Sequence, residues 1–193
     1  MRIIGGKAAR QTLKVPKGYD VRPTPDLVKQ AIFNSLGGRV LDTEVLELFA
    51  GTGALGLECL SRGAQRVLSI EKSGKVARLI RANLEALGLD PTRFELREQN
   101  AFAALSQLRS TGRKFDLIIA DPPYGEKNIG RRSMSFAQRL LDNEDLPQLL
   151  VPNGLFVLGH TKRDTLEFPS HWHETKMLKH GDTVIRFLTS TPD

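Results

Sequence analysis

Cysteine is almost absent from this 193-residue chain, with Cys59 the only one. A disulfide framework and a cysteine metal cluster are therefore excluded. Cys59, in a helix-like stretch after Gly56-Leu57-Glu58, reads as a small core residue. Long apolar runs are missing too. No stretch reaches the ~18 residues of a membrane span, and Met1-Arg2-Ile3-Ile4-Gly5 lacks the apolar region of a signal peptide. These absences point to the cytoplasm and to no membrane partner. Internal repeats and low-complexity linkers are also lacking. What is present, 40% hydrophobic and 26% charged residues, fits one globular domain with enough core to fold alone.

Acidic charge is scarce at the start. Residues 1–24 carry Arg2, Lys7, Arg10, Lys14, Lys17 and Arg22 against Asp20 alone, a net +5 of the chain's +6. A basic arm or short hairpin of this kind suits a polyanion, because each neutralised phosphate releases counterions. The alternative is a solvated, mobile terminus. Residues 25–193 are expected to form the single main domain.

From Thr24 onward the pattern alternates. Thr24-Pro25-Asp26 reads as a helix start with a hydroxyl cap, followed by Val28, Ile32 and Leu36 at four-residue spacing. Strands are expected at 45–49, 66–70, 94–96, 115–120, 155–158, 172–178 and 183–188. Helices are expected at 54–62, around Val76 to Leu87, around Phe102 to Leu108 and over 136–150, with a turn at Pro152-Asn153-Gly154. Such alternation implies an α/β fold with a mostly parallel sheet and helices on both faces. The last two strands, joined by a short turn, must be antiparallel. Ligands of such sheets bind at the carboxyl ends of strands.

Those ends carry chemistry. Gly51, Gly53 and Gly56 match G-x-G-x-x-G after the first strand, and Glu71 ends the second, 20 residues beyond Gly51. The pattern suits a nucleoside cofactor, the acid accepting from ribose hydroxyls. NAD and S-adenosylmethionine (SAM) both qualify. Glu47 favours SAM, since a carboxylate at the loop mouth would repel a pyrophosphate and attract an ammonium or sulfonium. After the fourth strand comes Asp121-Pro122-Pro123-Tyr124. Asp121 and the Pro122 carbonyl, in a turn stiffened by Pro123, can accept both hydrogens of one exocyclic amine. Tyr124 offers a face for base stacking. Lys127, Arg131 and Arg132 follow, where they could hold phosphates. His171 and His173 lack a third ligand at suitable spacing, so no metal is expected.

Asp121-Pro122-Pro123-Tyr124 resembles the acceptor motif of amino-methyltransferases, and Gly51-Thr52-Gly53 their SAM loop. Arg22-Pro23-Thr24, Ala31 to Leu36, Leu48 to Glu58 and Ser61-Arg62-Gly63-Ala64 resemble one branch, the RsmD family of bacterial 16S rRNA methyltransferases. The resemblance implies a Rossmann-like SAM-methyltransferase fold with seven strands and an antiparallel C-terminal pair. It implies a reaction making N2-methylguanine at the family's target, guanine 966, with S-adenosylhomocysteine as product. Its partner would be ribosomal RNA, free or within a partly assembled small subunit, and the chain a monomer. The implied cofactor contacts are Arg22, Thr24, Glu47, Phe49, Ala50, Gly51, Thr52, Gly53, Glu71, Lys72, Asn100, Ala101 and Asp121. The chain departs from the family at Asn100-Ala101, where an acid is usual, at Gly159-His160, where a glutamate is usual, and at His180-Gly181, where a tyrosine-glycine pair is usual. A DNA or RNA adenine-N6 methyltransferase stands as the alternative. An NAD-dependent oxidoreductase and a non-catalytic RNA-binding protein are more distant ones.

Overall fold

The computed structural model describes residues 1–15, 24–124 and 132–191. Lys17, Arg22, Lys127 and Arg131 lie outside the described residues. The backbone groups into two compact units, Met1–Ala101 and Phe102–Asp193.

In the first unit, residues 1–15 form a docked hairpin and not a solvated arm. Arg2 bridges Thr12 in antiparallel fashion, and backbone bonds from Ile3 to Gln11 and from Arg10 to Ile3 close a short hairpin. Its apolar residues Ile3, Ala8 and Leu13 are buried, which fixes the hairpin to the body. Gly6 permits the contact. Its φ is +78°, and a Cβ there would stand 1.9 Å from the Ser61 carbonyl oxygen.

Helix α1 (Asp26–Leu36) begins one residue later than the sequence suggests. Pro25 holds the cap position and no side chain caps the helix, so Thr24 is not the expected hydroxyl cap. Strand β1 (Glu44–Leu48) leads through a glycine loop to α2 (Ala54–Ser61), every residue of which is buried. Within α2, Cys59 is a free core thiol whose pKa burial pushes well up. Then follow β2 (Arg66–Glu71), α3 (Gly74–Ala86) and β3 (Phe94–Glu98). In α3, Val76, Ala77, Ile80 and Leu84 share the buried face, as helical periodicity requires. β1 pairs β2 and β2 pairs β3, both parallel.

Helix α4 (Ala101–Ser110) precedes β4 (Phe115–Ala120). The helix expected over 136–150 is much shorter. α5 spans Phe136–Leu141, because the Asn143 side chain then accepts from the amides of Asp145 and Leu146 and turns the chain away from helix. Pro147 opens a 3-10 turn instead. The expected turn at Pro152-Asn153-Gly154 lies inside β5 (Leu150–Thr161). The β4 partners step from Phe115 to Leu117 while the β5 partners jump from Leu150 to Leu155, so the segment is a bulge, with Asn153 at φ +65°. β6 (Trp172–His180) and β7 (Thr183–Ser190) form the antiparallel hairpin, and β7 also runs antiparallel to β5. The seven strands lie in the order β3-β2-β1-β4-β5-β7-β6. Among the described residues no helix is long and apolar enough to cross a membrane.

Candidate functional site

The glycine loop Phe49-Ala50-Gly51-Thr52-Gly53 joins β1 to α2. Phe49, Gly51 and Gly53 all have positive φ, at 57°, 56° and 74°. At Gly53 a Cβ would also meet the Ile80 side chain at 2.9 Å, so only glycine fits. Glu71, at the end of β2, is buried and fastens this loop. Its two carboxylate oxygens accept from the amides of Gly51 (2.9 Å) and Ser73 (2.8 Å). A carboxylate has about four acceptor positions, so Glu71 retains capacity for a ribose hydroxyl. The loop therefore fits the nucleoside part of SAM. Lys72 and Asn100 are exposed, Thr24 is half-buried and Ala101 is buried at the start of α4.

Glu47 does not stand at the loop mouth. It is 2% exposed. Its carboxylate accepts from the Ser69 hydroxyl and the Gly56 amide, in the space that a Cβ on Gly56 would fill. The expected attraction to a cationic ligand is thus corrected, because the group braces the strand against the helix. Burial pushes its carboxyl from 4.5 up to about 7, against the bonds from Ser69 and Gly56 that lower it. A raised folded value means stabilisation that is complete below about pH 4.5 and lost as pH climbs through about 7. That loss amounts to about 3 kcal/mol. Glu47→Gln does not titrate. Urea unfolding should therefore show its stability relative to wild type rising by about that amount between pH 4.5 and 8. A pH-independent difference would contradict the buried-acid account.

The second unit carries Asp121-Pro122-Pro123-Tyr124. Asp121 follows β4 directly and is half-buried, Pro122 is buried and Pro123 exposed. The Tyr124 hydroxyl and the Thr183 hydroxyl share a 2.8 Å hydrogen bond, which fixes the ring to β7. Gly159, beside this turn on β5, leaves room for the acid. A Cβ there would lie 2.5 Å from Asp121 Oδ1. Pro122, Tyr124, Gly159, His160 and Asp164 pack around a gap next to it that is too narrow for a water molecule. The loop carrying Asp164 is tied to α5 by two 2.8 Å bonds between the Gln138 side chain and the Glu167 backbone.

The basic residues separate into two groups. Lys7, Arg10 and Lys14 are exposed on the N-terminal hairpin. Arg2 pairs with Asp26, and Arg132 pairs with both Asp142 (2.7 Å) and Glu167 (3.2 Å), so neither presents an uncommitted charge. His171 is half-buried and His173 exposed. Among the described residues no group of three His, Cys, Asp or Glu side chains could hold a metal ion.

Sequence reasoning missed what anchors the hairpin. Glu58, fully buried in α2, accepts from the amides of Ile4 and Gly5, both at 2.7 Å, and from Arg62 at 2.8 Å. The fully buried Lys29 lies 3.9 Å away. A charged residue inside the otherwise apolar ALGLECLS was the available signal. His160, Asp164 and Arg186 were missed as well, and no spacing rule points to them.

The sheet order and the glycine loop define a Rossmann-like α/β fold. A family model described as conserved hypothetical protein 95 matches residues 1–189, and the chain belongs to that family, the RsmD family. It is 33% identical to "Ribosomal RNA small subunit methyltransferase D" of Haemophilus influenzae, over 89% of this chain and 84% of that one. Among solved structures it resembles a hypothetical protein of Thermus thermophilus, with 28% identity, 99% of each chain covered and a TM-score of 0.79. It also shares the fold of the 16S rRNA N2 G1207 methyltransferase RsmC of the same organism, solved with AdoMet and guanosine. There the identity is 24%, the TM-score 0.69, and 91% of this chain and 45% of that one are covered.

Proposed function

We propose that this protein transfers the methyl group of SAM to the exocyclic N2 amine of a guanine in small-subunit ribosomal RNA, with guanine 966 as the target that the family resemblance suggests. The observation that carries the reading is the family match, over nearly the whole chain, to an rRNA small subunit methyltransferase with Asp121-Pro122-Pro123-Tyr124 at a strand end. When bound, SAM supplies an electrophilic methyl group and leaves as S-adenosylhomocysteine. Glu71 would accept from the ribose, and the Phe49–Gly53 loop would let the nucleoside approach the backbone, flanked by Thr24, Lys72, Asn100 and Ala101. Arg22 is assigned to the same pocket from sequence alone. Asp121 and the Pro122 carbonyl would accept both amine hydrogens, so that the nitrogen lone pair leaves the ring's π system and becomes nucleophilic. Tyr124 would stack the base. Methyl transfer needs alignment more than a strong base, so positioning supplies most of the rate. The reading treats 25–193 as one methyltransferase domain acting as a cytoplasmic monomer. Transfer of labelled methyl from SAM into small-subunit rRNA tests it, and no incorporation into free or subunit-bound RNA would refute it.

The RNA-holding surface is assigned to the hairpin. Lys7, Arg10 and Lys14 are its exposed cations, unpaired among the described residues; from sequence alone, Lys17 of the same arm and Lys127 and Arg131 of the loop after Tyr124 are assigned to RNA phosphates as well. Deleting the hairpin would also uncover Ile3 and Leu13, so charge changes are the cleaner probe. A Lys7→Gln, Arg10→Gln, Lys14→Gln variant should flatten the slope of log K against log salt by roughly 2, at ~0.7 per phosphate. SAM binding should be unchanged. An unaltered slope would place the RNA surface elsewhere.

A further inference from the structure

Asn83, within α3, is 1% exposed, and the proposed chemistry makes no use of it. Its side-chain amide joins two segments far apart in sequence. Oδ1 accepts from the Lys14 amide at 2.9 Å, and Nδ2 donates to the Lys14 carbonyl at 3.1 Å and to the Thr52 carbonyl at 3.4 Å. Lys14 is an exposed residue near the end of the N-terminal hairpin, and Thr52 a buried residue of the glycine loop. Both Nδ2 hydrogens are thereby used. A flipped amide would set donor against donor and acceptor against two acceptors, so only one orientation serves.

The surroundings hold this junction together. Ile80, three residues before Asn83 on α3, stands 2.9 Å from where a Cβ on Gly53 would be, so the loop packs directly on the helix. The Thr52 hydroxyl lies 3.9 Å from Met1 Sδ, and the Leu13 amide donates to the Met1 carbonyl at 3.0 Å. Both ends of the hairpin therefore meet the glycine loop here. The rest of the hairpin is fastened separately, to α2. Ile4 and Gly5 donate to Glu58, and Ala8 donates to the Ser61 hydroxyl. The hairpin thus has two anchors, and one of them is shared with the glycine loop.

We propose that Asn83 is a positioning residue that couples the cofactor loop to the RNA-holding hairpin: a SAM-filled loop holds the Thr52 carbonyl on Asn83, and Asn83 in turn fixes the backbone of Lys14. This deepens the proposed function and rests on it, for SAM in the loop and for RNA on the hairpin. Ordering one partner of a shared side chain lowers the entropic cost of ordering the other. The coupling is reciprocal, so RNA held by Lys14 tightens SAM binding by the same factor. Asn83, almost wholly buried, acts through its two neighbours.

Amide hydrogen exchange of the full chain, read residue by residue by NMR with and without S-adenosylhomocysteine, tests this. Any bound ligand slows amides that exchange through global unfolding, so the two anchors are compared with each other. S-adenosylhomocysteine should slow the Lys14 amide by roughly fivefold or more beyond its effect on the Ile4 and Gly5 amides, the lower end of coupling between sites. In Asn83→Ala the glycine-loop amides should still respond, while the extra slowing at Lys14 is lost. An Asn83 that only stabilises the fold would move both anchors alike. A wild type whose Lys14 amide is slowed no more than those of Ile4 and Gly5 overturns the inference, even if the variant fails to fold. Extra slowing that persists in folded Asn83→Ala also overturns it. A wild type whose glycine-loop amides do not respond to S-adenosylhomocysteine overturns the proposed function and this inference together.

Discussion

Asp121→Ala is expected to bind SAM like the wild type and to lose roughly 10- to 150-fold in turnover. That range is the rate equivalent of losing one charge-assisted hydrogen bond, ~1.5–3 kcal/mol. The expectation follows from the location of the side chain. Asp121 follows a strand whose buried residues Phe115, Leu117, Ile118, Ile119 and Ala120 hold the backbone in place. Removing its carboxylate leaves that strand intact. The cofactor loop is fastened by Glu71 instead, so cofactor affinity should not change. Gly159→Ala gives an independent approach to the same atom. The added Cβ would stand 2.5 Å from Oδ1, and the flexible carboxylate would swing aside at little cost in stability. Turnover should fall with folding preserved. Asp121→Ala with full activity would make the Asp121-Pro122-Pro123-Tyr124 turn purely structural.

Glu58→Gln should give the largest loss of stability, about 3–5 kcal/mol. For a chain of this size that is a fall of roughly 10 °C in Tm. Glu58 compensates Lys29, whose ammonium contacts the Arg2 carbonyl and lies 3.5 Å from Asp26. Burial lowers the Lys29 pKa, with Glu58 and Asp26 opposing the shift. Without the Glu58 charge, a buried cation is left with one half-buried carboxylate. The amides of Ile4 and Gly5 also lose their charged acceptor, so the hairpin should loosen along with the core. The neutral double variant Lys29→Met, Glu58→Gln should recover part of the loss, because the uncompensated charge is gone. Thermal unfolding of the single and double variants measures this. A single variant within about 1 kcal/mol of wild type would show that the pair does not anchor the hairpin.

The strand pattern was legible because β1, β2 and β4 each hold a short run of strand-forming residues with Gly51, Gly74 or Pro122 within three positions of its end. The loop glycines and Glu71 were legible because their spacing follows directly from chain geometry. Errors arose where side chains redirect the backbone. Asn143 ends α5 early through bonds that composition does not reveal. Pro152-Asn153-Gly154 has turn chemistry, yet pairing with β4 absorbs it as a bulge. Glu47 was read as a carboxylate at the loop mouth, because the direction of its side chain was not legible. Ser69, 22 residues away, is what draws the carboxylate inward.

The most direct measurement is nucleoside analysis of small-subunit RNA incubated with this protein and labelled SAM. The label should appear in N2-methylguanosine and nowhere else, and Asp121→Ala should abolish most of it. Label in N6-methyladenosine, or no label in RNA, would contradict the assignment.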